Sequence, residues 1–232
     1  MGLLRIPPHL KAGLDPAFLI MKDAKLLIFD LDGTLVDAYP AIISSFNYAM
    51  RSLGYPLQNS RVIRKAVGWG DQNLLKPFIK REDLKRAVSV YRRHHQESLL
   101  KESRLFPGSR AVLAGLKEKG YKLAVASNRP TRFSWILIRH LGLKKYFDYV
   151  LCADKLRRGK PYPEILNRIM QKFSLLPKQT LYIGDMVIDA QAARRAQVRS
   201  IIVTTGSSAR IEIKKEKPFH MIRRITDLLK LL

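Results

Sequence analysis

The place where an apolar run stops constrains this chain most. Leu26-Leu27-Ile28-Phe29 reads as a buried strand and runs straight into Asp30-Leu31-Asp32-Gly33-Thr34-Leu35-Val36-Asp37. Two carboxylates two residues apart, followed by a glycine turn, converge on one pocket at the strand's end. Two later apolar runs stop in the same way. Residues 122–126 lead into Ser127-Asn128, and residues 181–183 lead into Gly184-Asp185, with Asp189 one helical turn further on. Lys160-Pro161 precedes another helix. A sheet built only for stability has no need of polar groups at three strand ends.

Between and beyond these runs the rhythm is that of an α/β chain. Helical spacing covers residues 109–119, 132–141, 163–173 and 188–196, with strand-like runs at 149–151 and 200–204. The tail reads as a short strand near 219–222 and then a helix through 232. Strands and helices that alternate over short connections imply a parallel sheet covered on both faces, with its chemistry beyond the carboxyl ends of the strands. Residues 38–106 break the rhythm. Helical spacing occupies 40–53, 60–66, 71–79 and 82–101, no strand signal interrupts 38–105, and Pro107-Gly108 marks a turn. The expected organisation is an N-terminal extension over 1–21, a core over 22–37 and 107–232, and an all-helical insert over 38–106. Residues 1–20 contain Pro7, Pro8, a lysine and an aspartate and lack a long apolar centre, unlike a secretory signal.

Composition narrows the class. A single cysteine excludes a disulfide scaffold or a thiolate zinc site within one chain, and Cys152 reads as a buried small residue. No apolar run reaches the roughly 18–20 residues of a membrane span, so a cytoplasmic location is expected. Lys and Arg number 43 against 19 Asp and Glu, a net charge of +24. The basic clusters are dispersed over amphipathic helices, which fits a solvated surface. Attraction to a polyanion, nucleic acid included, is the sharper alternative. His94-His95 on a basic helix reads as solvent-facing.

Electrostatics then asks for a cation. Asp30, Asp32, Asp185 and Asp189 crowd one cleft, and two unit charges about 5 Å apart repel by roughly 3 kcal/mol at an effective dielectric of 20. Carboxylate oxygens without His or Cys suit Mg²⁺ rather than zinc. A divalent ion with Lys160 neutralises most of that charge and leaves a place for a phosphate dianion, whose oxygens Ser127 and Asn128 can bind.

These residues resemble the four ordered signatures of the haloacid dehalogenase-like hydrolase superfamily: the octapeptide from Asp30 to Asp37, Ser127-Asn128, Lys160-Pro161, and Gly184-Asp185 with Asp189. The resemblance covers about residues 22–232, and the helical block is similar to the cap of the phosphoglycolate phosphatase branch. It implies a Rossmann-like three-layer core with an inserted helical cap and a Mg²⁺-dependent phosphatase. It implies Asp30 as nucleophile, Asp32 as acid and base, and Thr34 as a residue orienting the first loop at the substrate. Ser127 and Lys160 would hold the phosphoryl group. The Asp30 side chain, the Asp32 main-chain carbonyl and Asp185 would hold Mg²⁺, with Asp189 positioning metal-bound water or Lys160. Val67-Gly68-Trp69-Gly70-Asp71 resembles the branch's cap loop, which places Gly68, Trp69 and Gly70 at the substrate. Asp32 favours phosphoester hydrolysis over dehalogenation. A phosphomutase, a pyrophosphatase or a polynucleotide-directed phosphatase stays open, as does the choice between monomer and homodimer.

Overall fold

The computed structural model describes residues 23–232; the extension expected over 1–21 lies outside the described residues. The strands are β1 (Leu26–Phe29), β2 (Val36–Asp37), β3 (Arg104–Leu105), β4 (Lys122–Ser127), β5 (Tyr149–Cys152), β6 (Thr180–Gly184), β7 (Arg199–Val203) and β8 (His220–Ile222). Six of them form one sheet in the order β5-β4-β1-β6-β7-β8, with every neighbouring pair parallel. The helices are α1 (Tyr39–Ser52), α2 (Ser60–Ala66), α3 (Asp71–Leu75), α4 (Leu84–Glu102), α5 (Ser109–Glu118), α6 (Thr131–His140), α7 (Glu164–Phe173), α8 (Val187–Arg195) and α9 (Arg210–Lys215).

Strand alternation builds the layers. Leu27 and Phe29 of β1 join Leu123, Val125, Leu181 and Ile183 on one face, packed beneath α5 and α6 through Val112, Leu116, Phe133 and Leu137. Leu26 and Ile28 join Ala124, Ala126 and Tyr182 on the other, packed against Ile165, Ile169, Ala192 and Ala193 of α7 and α8. All four β1 side chains are fully buried. Each such side chain contributes about 1.5–3 kcal/mol of burial free energy. The fold is therefore the expected three-layer α/β core, with β1 at its centre.

Among the described residues, the regular elements between β2 and β3 are all helical. α1 buries Ile42, Phe46, Ala49 and Met50 against α4, which buries Ala87, Val88, Tyr91, His95 and Leu99 at helical spacing. His95 is thus a buried residue, not the solvent-facing one expected, because it shares the helix face of Tyr91 and Leu99. The insert joins the core through a two-strand ribbon in which Val36 pairs with Leu105 and Asp37 with Arg104. Phe106 N donates to Leu35 O at 3.0 Å to close it. β3 had no sequence signal, because two residues cannot show a period. The stretch 71–79 divides into α3 and a 3₁₀ turn over Lys76–Phe78, since Pro77 has no N–H to continue the helix. The expected C-terminal helix is a 3₁₀ segment, Ile225–Lys230, and α9 was not anticipated. No described helix is long and apolar enough to cross a membrane.

Candidate active site

The sheet order sets the site. After β1 the chain builds β4 and β5 on one side, then returns past β1 to build β6, β7 and β8 on the other, so a crevice opens at the carboxyl ends of β4, β1 and β6. Asp30, immediately after β1, donates its N–H to Ile183 O at 2.8 Å. Its carboxylate lies 3.0 Å from Lys160 Nζ. The Lys160 ammonium also donates to Asp189 Oδ1 at 2.8 Å and to Tyr182 Oη at 3.0 Å, so all three of its protons have partners. Tyr182 in turn donates to Asp189 Oδ1 at 2.7 Å. Asp189 Oδ2 accepts from the N–H groups of Asp185 and Met186, capping α8. Asp189 therefore braces the lysine and the turn that presents Asp185 at the same time.

Asp185 is wholly buried. Thr34 Oγ1 donates to its Oδ1 at 2.9 Å and Tyr39 Oη to its Oδ2 at 3.5 Å. Gly33, at φ +83°, lies so close that a Cβ there would strike the carboxylate, and so would one on Gly206. Thr34 was expected at the substrate; it is fully buried and supports Asp185 instead.

Desolvation dominates the electrostatics. Burial pushes the Asp30 carboxyl up to about 7, with Asp189 and Asp32 adding to the rise and Lys160 opposing it. Burial likewise raises Asp185 well above the usual carboxylate range, reinforced by Asp189 and Asp30. Burial alone would lower Lys160; its neighbours Asp189 and Asp30 outweigh that and hold it above the ordinary lysine value. Ligand atoms of Asp30, Asp185 and Asp189 all lie within 4.8 Å of one another. Three buried carboxylates facing a single lysine leave negative charge in excess, and this all-oxygen donor set fits a hard divalent cation.

Asp32 points away from that cluster. Its two oxygens accept Arg129 Nη2 at 2.7 Å and Nε at 2.8 Å. Its carboxylate is thus engaged by the arginine, and it is not part of the Asp30, Asp185 and Asp189 group. Arg129 was missed by sequence reasoning although it directly follows Asn128; in a chain with 43 basic residues, one more arginine carries no signal. Ser127, at the end of β4, accepts the Arg129 N–H at 3.1 Å through Oγ and faces the cleft. Asn128 was expected on phosphate oxygens. Its amide instead donates to Gly68 O and Lys160 O and accepts from Lys160 N, clamping the cap loop to the lysine loop.

The roof comes from the insert. Ile42, Val67, Gly68, Gly70, Leu74 and Tyr91 line it, with Phe133 from α6. Gly68 and Gly70 line the cleft, and a Cβ on Gly68 (φ +108°) would press on Met186 Sδ. Trp69 does not line the cleft: its side chain is 46% exposed, turned outward between the two glycines.

A crevice at the sheet's switch point, floored by buried carboxylates around one lysine, is the site of an α/β protein that can hold a hard cation and an anionic group together. A sequence profile of the haloacid dehalogenase-like hydrolases matches residues 27–203. A phosphoglycolate phosphatase of Nitrosococcus oceani is 30% identical over 221 residues, covering 92% of this chain and 98% of that protein. One from Nitrosospira multiformis is 33% identical over 190 residues, 78% of this chain and 84% of its own. The crystal structure of a predicted phosphoglycolate phosphatase from Haemophilus somnus superposes with a TM-score of 0.86 at 30% identity, covering 91% of this chain and 99% of that one. The chain belongs to the haloacid dehalogenase-like hydrolase family. It is a phosphatase of that family, with a helical cap over a Rossmann-like core.

Proposed function

We propose that the chain hydrolyses a small phosphomonoester of the phosphoglycolate or sugar-phosphate kind through an aspartyl-phosphate, with Mg²⁺ as cofactor. The core spans residues 22–37 and 107–232 and the cap 38–106. The observation that carries this reading is the Asp30 carboxylate, buried at the end of the central strand and 3.0 Å from a lysine whose other contacts fix it in place.

Asp30 attacks phosphorus, and Asp32 gives a proton to the departing alcohol oxygen. Water, giving a proton to Asp32, then attacks phosphorus, the bond to the Asp30 carboxylate breaks and inorganic phosphate leaves. The Ser127 hydroxyl holds a phosphoryl oxygen, Lys160 passes its proton contact from Asp30 to the phosphoryl group and neutralises it, and Asp189 and Tyr182 keep the lysine aimed. Asp30, the Asp32 carbonyl and Asp185 would hold Mg²⁺, which would supply neutralisation of the charge on the transferring group. The cap excludes water while this proceeds. The cleft, with about 60 Å³ of interior space beneath the cap, suits a small substrate. The cations lining it, Lys160 and Arg129, are both paired with carboxylates, so the +24 charge sits elsewhere on the surface.

The test is phosphate release from phosphoglycolate, sugar phosphates, nucleotides and pyrophosphate, with Mg²⁺ or with chelator, for the unmodified protein and Asp30→Asn. Release that needs both Mg²⁺ and Asp30 is expected. An isomerised sugar phosphate without free phosphate would make the chain a mutase.

A further inference from the structure

We propose that Arg129, held from the cap by His95, selects substrates that carry a carboxylate on the alcohol side of the phosphoester. The inference rests on the phosphatase reading above and adds a specificity-determining residue to it.

Two cations line the cleft, and each is paired with a different carboxylate of the first loop, Lys160 with Asp30 and Arg129 with Asp32. Lys160 sits with Asp30, where the phosphoryl group is held. Arg129 sits on Asp32, where the leaving alcohol receives its proton. Whatever the alcohol carries on a short spacer comes up against Arg129.

The arginine is already arranged to take a carboxylate. It is buried to 8% exposure, and its fork grips the Asp32 carboxylate through Nε and Nη2 at 2.8 and 2.7 Å. A third donor, Nη1, reaches His95 Nε2 at 2.7 Å. These contacts use three of the five guanidinium protons, so one on Nη1 and one on Nη2 remain for a ligand while Asp32 keeps its hold.

His95 is built as an acceptor. Its Nδ1 lies 3.0 Å from Ser45 Oγ, and Ser45 gives its own proton to Ala41 O at 2.7 Å. The hydroxyl can therefore only accept from the ring, which assigns the ring proton to Nδ1 and leaves the Nε2 lone pair for Arg129. Tyr91 stacks on the ring at 4.8 Å and Phe133 meets its other side edge-on at 5.4 Å. His95 is a positioning residue, contributed by the cap and acting through an arginine of the core.

The rest of the roof offers no competing anion site. Ile42, Val67, Leu74 and Phe133 are apolar, and Asp71 is itself ion-paired with Arg92 at 2.6 Å. Among the described lining residues, Arg129 is the cation on the Asp32 side that a second negative charge can meet.

The experiment compares 2-phosphoglycolate with 2-hydroxyethyl phosphate, which has a hydroxymethyl group in place of the carboxylate. kcat and KM are measured for both with Mg²⁺. Binding of both is measured by calorimetry in the Asp30→Asn protein, which holds them uncleaved. The preference for phosphoglycolate should fall about 100-fold in Arg129→Met and less in Arg129→Lys. His95→Phe should lower it through KM, and His95→Gln, whose amide oxygen can accept from Nη1, should restore it. An unchanged preference in a folded Arg129→Met protein would overturn the proposal, as would an equal loss on both substrates, which would make Arg129 a support for Asp32 alone. Absence of any Mg²⁺- and Asp30-dependent phosphate release would instead overturn the underlying phosphatase reading, and the calorimetric preference would still decide the role of Arg129.

Discussion

The floor and the roof of the cleft are built on opposite plans. On the floor, each charged group is tied to others: Lys160 to Asp30, Asp189 and Tyr182, Asp185 to Thr34 and Tyr39, Asp189 to two main-chain N–H groups. The roof is a surface of Ile42, Val67, Leu74 and Tyr91, touched by polar groups at the Asn128 clamp and the His95 contact. A floor of this kind fixes one reaction. A roof of this kind fixes a shape, and shape can change without disturbing the chemistry beneath it.

Mutations separate the two regions by the kind of damage they do. The largest effect is expected for Asp30→Asn, a loss of about 10⁴-fold or more in kcat on every substrate, read by phosphate release. Lys160→Met should lower kcat by about 10²–10³-fold on all substrates alike. It should also destabilise the metal-free protein by about 3–5 kcal/mol in denaturant titration, because Asp30 and Asp189 lose their counter-ion. Gly68→Ala belongs to the roof. Its Cβ meets Met186 at a backbone angle that L-residues avoid, so kcat/KM should fall about tenfold while the substrate ranking shifts. Trp69→Ala should change kcat/KM by less than about threefold. If that substitution reorders the substrates, the division drawn here between lining and outward residues fails.

A pH experiment probes the seam between the regions. Burial, then the charge of Arg129 and a smaller contribution from His94, holds His95 well below its ordinary value of 6.5. The groups facing the ring from other elements are Arg129, Ser45 and Phe133, with Tyr91 on its own helix. The folded ring stays neutral where the unfolded one takes a proton. Its contribution to stability is therefore complete above about pH 6.5 and is lost as pH falls below it. Between pH 7 and pH 5 the melting temperature of the unmodified protein should fall relative to that of His95→Gln; the raised Asp30 and Asp185 carboxyls act in the opposite direction but are common to both proteins.

The sequence carried the floor and withheld much of the roof, for a physical reason. Asp30, Ser127 and Asp185 announce themselves because a polar residue ending an apolar strand run is conspicuous. Arg129 contacts Asp32 across 97 positions of chain, and nothing local to either marks the pair. His95 was legible in principle: it falls on the face defined by Ala87, Val88, Tyr91 and Leu99, and that spacing outweighs the basic neighbours that made it look solvent-facing. The strands β2 and β3 were too short to show alternation. In α9 a single buried residue, Ile213, anchors a helix whose Ile211 is exposed, so no apolar stripe exists to be read.

The central position of β1 also bears on how the chain is made. Its side chains are completely covered, yet Leu26 pairs with Lys122 on one side and Thr180 on the other. During translation this strand emerges first and waits. At about 5–20 residues per second, the roughly 150 residues up to its second partner take about 8–30 s to appear. Throughout that interval an adhesive apolar tetrapeptide is without its final neighbours on the nascent chain. The ribosome-bound state, rather than the finished enzyme, is where this architecture is most exposed to aggregation and most in need of a chaperone.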